Sequence, residues 1–360
     1  MALDRIKIEG FKSIREMNLE LNKLNVLIGS NGSGKSNFIS IFKLLNQIVE
    51  ENLQLYVAQS GGADTFLHFG QKSTSKLSIR LCFGQNGYEA DLVPTLDGNL
   101  IFAKEECWFQ KQDYDNPYTV KSGSGHKETR LVEKAQTGGV AQYVLENMKD
   151  WKIYHFHDTS DSALVKKKQN IDDNAVFKAD ASNLAAFLYL LQEKNHSVYD
   201  VIVRTIRLAV PFFEDFVLRP AALNPNKIQL EWREKGHPDT YFNAHSLSDG
   251  SLRFICLATL LLQPTLPSTI LIDEPELGLH PYAITLLASM LRSAATKTQV
   301  IVSTQSVPLV NQFLPEDIIV VDRKDGQSEF KRLKDADVEI WLEEFGLGEI
   351  WEKNIIGGRP

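Results

Sequence analysis

Asn25-Val-Leu-Ile-Gly-Ser-Asn-Gly-Ser-Gly-Lys-Ser36 is the stretch around which the chain is organised. Gly29, Gly34, Lys35 and Ser36 stand in the spacing G-x-x-x-x-G-K-S, the phosphate-loop or Walker A pattern. Each residue type has a physical reason. Glycines let the backbone turn its N–H groups inward and let a phosphate approach where a Cβ would stand. Lys35 brings a mobile positive charge to the outer phosphates. Ser36 offers a hydroxyl to Mg²⁺ beside a helix N-terminus, which favours an anion. The flanks agree: Leu24 to Ile28 is an apolar run of strand length, and Phe38, Ile39, Ile41, Phe42, Leu44, Leu45 and Ile48 follow a helical period over 36–50. Gly29, Ser30, Asn31, Gly32, Ser33, Gly34, Lys35, Ser36 and Asn37 are therefore the candidate nucleotide-binding set.

With 360 residues the chain can form one large or two small domains, and 43% hydrophobic with 24% charged residues is ordinary globular composition. A net charge of −7 does not suggest a surface coated by nucleic acid, although a local basic face fits within it. Cys82, Cys107 and Cys256 are scattered, which argues against a disulfide framework or zinc site and suits a reducing cytoplasm. No signal peptide is expected from Met1-Ala-Leu-Asp-Arg-Ile-Lys7, and the run Ile255 to Leu262 is too short to span a bilayer, so no membrane association is expected.

Alternation of apolar residues from Leu3 to Phe11 and from Met17 to Leu21 predicts an antiparallel pair ahead of the phosphate-loop strand. Hairpins are predicted over 76–109, with a turn at Leu96-Asp-Gly-Asn99. The polar stretch 112–139 reads as a mobile loop. Helices are predicted over 140–150, 182–193, 198–210 and 338–351, and strands over 151–157, 216–218 and 227–232. His155-Phe-His-Asp158 reads as a satisfied strand end near the site rather than a metal site, and Lys166-Lys-Lys168 as a solvated surface.

Thr269-Ile-Leu-Ile-Asp-Glu274 is an apolar strand ending in two carboxylates, the Walker B form. Asp273 would hold Mg²⁺, and Glu274 would orient or deprotonate an attacking water. Between the motifs, Ser246-Leu-Ser-Asp-Gly-Ser-Leu-Arg253 opens an apolar helix, with Ser248 and Gly250 at its start as an anion site or an ordinary N-cap.

At these residues the chain resembles a family. Leu247-Ser-Asp-Gly-Ser251 is similar to the ABC-type signature, and Asp273-Glu-Pro-Glu-Leu-Gly-Leu-His-Pro281 to the Walker B and D-loop of the RecF/SMC-like branch. Ile8-Glu-Gly-Phe-Lys-Ser-Ile14 is similar to that branch's first strand. The group with the nearest pattern is the prokaryotic "AAA family" ATPases of ABC type, several of which sit in anti-phage and DNA-repair systems. The resemblance covers about residues 1–75 and 240–360 and implies an α/β ATPase head with an antiparallel β subdomain, 76–239 being an inserted β-hairpin and helical region. It implies ATP and Mg²⁺ as ligands and a homodimer that sandwiches ATP between Walker A of one copy and Ser248, Asp249 and Gly250 of the other. Lys12 is a phosphate ligand by analogy. Val300-Ile-Val-Ser-Thr-Gln-Ser306 is similar to the switch strand and loop, with Gln305 where many relatives carry His. Gln can hydrogen-bond a γ-phosphate but carries no proton near neutral pH, which points to slow hydrolysis. Gln59 and Gln71 are the candidates for a further loop glutamine. The function expected is a cytoplasmic ATP-gated dimeric switch acting on DNA or commanding a partner effector such as a nuclease encoded nearby. A transporter ATPase subunit and a regulatory nucleotide-binding module with little turnover are the alternatives.

Overall fold

The computed structural model describes residues 2–111 and 116–359. The chain begins with a hairpin, β1 (Arg5–Phe11) and β2 (Ile14–Glu20), and enters β3 (Leu24–Ile28), which is buried at all five positions. The phosphate loop follows and leads into α1 (Lys35–Val49) and then α2 (Leu53–Gln59). Four antiparallel strands come next, β4 (Leu77–Phe83), β5 (Asn86–Pro94), β6 (Leu100–Phe109) and β7 (Tyr118–Gly123). They extend the first hairpin into a six-stranded sheet ordered β2-β1-β4-β5-β6-β7. Helices α3 (Leu131–Ala135) and α4 (Val140–Lys149) lead to β8 (Trp151–Tyr154).

Two three-stranded sheets lie in the middle of the chain, flanking α5 (Leu184–Lys194) and α6 (His196–Ala209). One comprises β9 (Gln169–Asn170), β11 (Pro220–Ala221) and β12 (Asn224–Ile228); the other comprises β10 (Phe213–Phe216), β13 (Glu231–Glu234) and β14 (Tyr241–Asn243). The remainder alternates helix and strand: α7 (Asp249–Leu262), β15 (Thr269–Asp273), α8 (Pro281–Ala295), β16 (Gln299–Thr304) and α9 (Val307–Val310). It closes with β17 (Ile318–Lys324), β18 (Gln327–Arg332), α10 (Asp335–Leu342) and α11 (Leu347–Glu352).

The second six-stranded sheet has the order β18-β17-β3-β16-β15-β8. Neighbours from β17 to β8 are parallel, and β18 is antiparallel. Its central strands β3, β15 and β16 are largely apolar because both faces are covered, whereas the edge strand β18 is polar and partly exposed. Val26, Ile28, Ile270, Ile272, Val300 and Val302 face a core that includes α7 and α8. Leu27, Leu271, Ile301 and Ile319 face a second core shared with α1 and the antiparallel sheet. The parallel arrangement brings the ends of β3, β8, β15 and β16 to one edge, where open α/β sheets bind their ligands.

Three local expectations need correction. The polar stretch 112–139 is not one loop: β7 pairs with β6 from Phe109↔Tyr118 to Glu105↔Gly123, and α3 follows. Residues 112–115 of that stretch lie outside the described residues. The single helix expected over 338–351 is two, broken before Leu347, where Gly346 packs so closely on Asn311 that a Cβ would lie 2.6 Å from its Oδ1. The strands expected over 216–218 and 227–232 run instead over Phe213–Phe216, Asn224–Ile228 and Glu231–Glu234.

Candidate active site

Gly29, Gly32 and Gly34 all take positive φ (156°, 77° and 120°), which turns the loop back on itself between β3 and α1. A Cβ at Gly34 would lie 2.1 Å from Ser328 Oγ, so only glycine fits there, whereas Gly32 faces open space. Gly34 caps α1 without a side-chain hydrogen bond, leaving the first-turn N–H groups free for an anion. Lys35 is buried, and its ammonium donates to Gly29 O (2.5 Å) and Ser30 O (3.0 Å). Burial lowers its pKa, while the charges of Glu274, Asp273 and Glu276 act to raise it.

Those carboxylates come from the end of β15. Asp273 accepts from Ser303 Oγ of β16. Glu274 has φ 43°, a left-handed conformation that strains a non-glycine residue, and its N–H donates to Ser303 O (2.9 Å). Its carboxylate accepts from the Gln305 amide. An open cleft of about 140 Å³ is lined by Ser30, Asn31, Gly32, Gly34, Lys35, Ser36, Asn37, Glu274 and Gln305. The structure thus gathers most of the phosphate loop with Glu274 and Gln305. Ser33 is buried under the loop with an unpartnered hydroxyl. Lys12 does not line this cleft: its ammonium lies over the rings of Phe11 (5.5 Å) and Phe66 (5.9 Å). Gln59 and Gln71 do not line it either.

The signature residues sit elsewhere on the chain. Ser248 caps α7, accepting from Ser251 N (3.2 Å). Gly250 is glycine because α7 packs on the D-loop: a Cβ there would lie 2.2 Å from Gly278 O. Ser248, Gly250, Gly278 and His280 line a hollow separate from the phosphate-loop cleft. Arg253 fastens this region inward, donating to the carbonyls of Leu277, Phe156 (3.0 Å) and His157 (3.4 Å).

Two residues beside the cleft depart from the sequence reading: Glu276 was given no role, and His155, expected in a satisfied strand end, keeps an unpartnered ring nitrogen. Glu276 is 7% exposed and accepts from Thr304 Oγ1 and Gln305 N (3.3 Å), while its Oε2 is buried without a partner. Burial raises its pKa. Its signal was the third carboxylate of Asp273-Glu-Pro-Glu276, but burial cannot be read from that spacing. His155 stands at the end of β8, and its Nε2 is buried without a partner. Burial and the charge of Lys43 hold its imidazole below the ordinary histidine value, against the pull of Asp273. Among the described residues no group of three or more His, Cys, Asp or Glu side chains could hold a metal by itself. No helix among them is long and apolar enough to cross a membrane.

Comparison with known proteins agrees with this architecture. Residues 1–205 match a family described as "AAA ATPase domain", and residues 124–311 one described as "AAA domain, putative AbiEii toxin, Type IV TA system". Septu protein PtuA of Bacillus thuringiensis is 21% identical over 335 residues, covering 89% of this chain and 76% of that protein. An SMC head bound to the C-winged helix domain of ScpA superimposes with a TM-score of 0.61 at 15% identity, covering 93% of this chain and 98% of the other. An Smc head with an extended coiled coil, bound to the C-terminal domain of ScpA derived from Pyrococcus furiosus, gives 0.57 at 15% identity, covering 95% and 98%. The fold is an ABC-type ATPase head with an antiparallel β subdomain. With family matches spanning more than half of its length, the chain belongs to the AAA ATPase domain family.

Proposed function

We propose that the protein hydrolyses ATP to ADP and phosphate in a site completed by a second copy, and that it works as an ATP-gated switch. The observation that carries this is the cleft in which the phosphate loop, Glu274 and Gln305 meet. Gly29 to Asn37 would cradle the phosphates, with Lys35 exchanging its bonds to loop carbonyls for phosphate oxygens. The hydroxyl of Ser36 and the carboxylate of Asp273 are hard oxygen donors suited to Mg²⁺, which would neutralise charge on the outer phosphates when bound. Glu274 would accept a proton from, or orient, the water that attacks the γ-phosphorus in line, while ADP leaves. Gln305 holds that carboxylate by a hydrogen bond and carries no proton itself, which favours slow turnover. Ser248, Asp249 and Gly250 lie outside the cleft of their own chain, so they would serve the partner's nucleotide in a head-to-tail homodimer. Residues 1–75 and 240–360 would form the ATPase core together with β8, which lies within the expected insertion 76–239 yet completes the parallel sheet, while β4 to β7 continue the sheet that β1 and β2 begin. Likeness to Septu protein PtuA supports a role in defence, with DNA or a partner effector as what the switch commands. The Glu274–Gln305 contact also favours a second reading, a regulatory nucleotide-binding module with little turnover.

The test is Glu274→Gln. An amide cannot take the proton at a useful rate, so phosphate release should fall by a factor on the order of 10² or more while binding survives. Its mass in solution should double with ATP and Mg²⁺ and return to monomer without them, because ATP bridging two copies stabilises only the closed form. A mass independent of nucleotide counts against ATP-gated assembly. Wild-type phosphate release measured with and without DNA separates the switch from the silent module.

A further inference from the structure

Residues 346–358 pack near both sides of the cleft, although none of them lines it. One end meets the helix that follows Gln305. Ser306 caps α9 by accepting from Leu309 N (3.3 Å), and Asn311, just beyond α9, accepts from Gly348 N (2.7 Å) of α11. The approach is close: a Cβ at Gly348 would lie 2.5 Å from Val307 O. The other end meets the phosphate loop. After α11 the chain reverses at Asn354 (φ 59°) and runs back to Gly358 (φ 60°), which is buried. The Gly358 carbonyl accepts from Trp351 Nε1 (2.5 Å), and that indole is fully buried. A Cβ at Gly358 would lie 2.7 Å from Val320 Cγ1 and 3.5 Å from Gly29 Cα. Gly29 is the first glycine of the phosphate loop, and its carbonyl holds Lys35.

We propose that residues 346–358 form a brace fixing the Gln305 loop relative to the phosphate loop, so that nucleotide in the cleft and order in this segment are linked. This rests on the nucleotide-binding reading above. The physical basis is close packing at both ends: α11 on Val307 and Asn311, and Gly358 on Val321, whose carbonyl a Cβ at Gly358 would approach to 3.2 Å and a Cβ at Gly29 to 2.2 Å. Interiors packed this closely transmit displacement rather than absorb it, so a shift of the Gly29 backbone is passed through Val321 to Gly358, and through Trp351 and α11 to Asn311. Asn311 and Gly358 are positioning residues here: neither lines the cleft.

The experiment titrates a fluorescent ATP analogue with Mg²⁺ into the full chain as wild type, Asn311→Ala, Gly358→Val and the double variant, and melts each without nucleotide. Each single change should weaken binding roughly 5- to 20-fold, the range of a modest coupling between sites. The double variant should be weakened by less than the product of the two, because either cut releases the same brace. Unchanged affinities would overturn the proposal, as would losses that merely track the melting temperature or multiply independently. Should Gly358→Val fail to fold, hydrogen exchange decides. MgATP should slow exchange of the 347–358 amides in wild type and do so less in Asn311→Ala, and equal response in both overturns the brace. A wild type that binds no nucleotide refutes the ATPase reading and the brace together, whereas a brace that fails alone leaves wild-type binding intact.

Discussion

Each six-stranded sheet buries a glutamate, and the two are treated differently. In the antiparallel sheet Glu105, on β6, accepts from Tyr88 OH (2.8 Å), Arg130 N (2.9 Å) and Thr129 Oγ1, with His126 Nε2 at 3.0 Å. Both oxygens are occupied. At the edge of the parallel sheet Glu276 accepts through one oxygen only, while the other is buried and bare. A saturated carboxylate is a fastener: it pins the 126–130 segment to β6 and has no valence left over. A half-satisfied one costs stability where it stands, and such costs collect where a fold keeps groups poised for something other than itself. The antiparallel sheet is thus scaffold, and the parallel edge holds reactive groups that packing alone would not choose.

Three variants test that division, and the largest effect belongs to the parallel edge. Lys35→Ala removes the cation that the charges of Glu274, Asp273 and Glu276 favour and should weaken ATP binding on the order of 10³-fold, about 4 kcal/mol. Its melting temperature without nucleotide should stay close to wild type; unchanged affinity by calorimetric titration would remove the phosphate-loop assignment. Glu105→Ala strands several buried donors and should cost about 3 kcal/mol in urea unfolding, with nucleotide affinity intact. A stability loss of less than about 1 kcal/mol would contradict the fastener reading. The smallest effect is Glu276→Gln. Burial raises the Glu276 pKa above 4.5, so between the unfolded and folded values the folded state holds a proton that the unfolded chain has released. Wild type therefore loses stability as pH rises through that window, and the glutamine variant does not. The variant should gain on wild type as pH rises through that window and keep the gain above it, by less than either change described before it. Parallel pH profiles of melting would show Glu276 to be as settled as Glu105.

What could be read from the sequence follows the same division. The runs at Leu24–Ile28, Thr269–Ile272 and Val300–Val302 are legible because strands covered on both faces admit almost nothing but apolar residues. The phosphate loop is legible because its geometry demands particular glycines. β7 was hidden because an edge strand with Tyr118 exposed and a Ser-Gly tail keeps no clear alternation. The strand end at His155 could be placed near the site from the sequence, but that its Nε2 is buried without a partner depends on how β8 seats beside β15. Glu276 and the contact of Gly358 with Gly29 depend on distant segments meeting, which no local pattern encodes. The analogy that put Lys12 near phosphate rested on a strand motif, whereas its position over two phenylalanine rings depends on Phe66, remote in sequence.

The left-handed backbone at Glu274 has an evolutionary consequence. Glycine or asparagine would sit there with less strain, by roughly 1 kcal/mol or more. The residue assigned to activating water is thus one that folding alone would discard. A lineage released from selection for hydrolysis, and held only to staying folded, would drift at position 274 early, while Gly29, Gly34 and the buried strands around them persisted. Among descendants of such a chain, an intact phosphate loop would say little about catalysis, and the residue following the Walker B aspartate would record whether turnover still mattered.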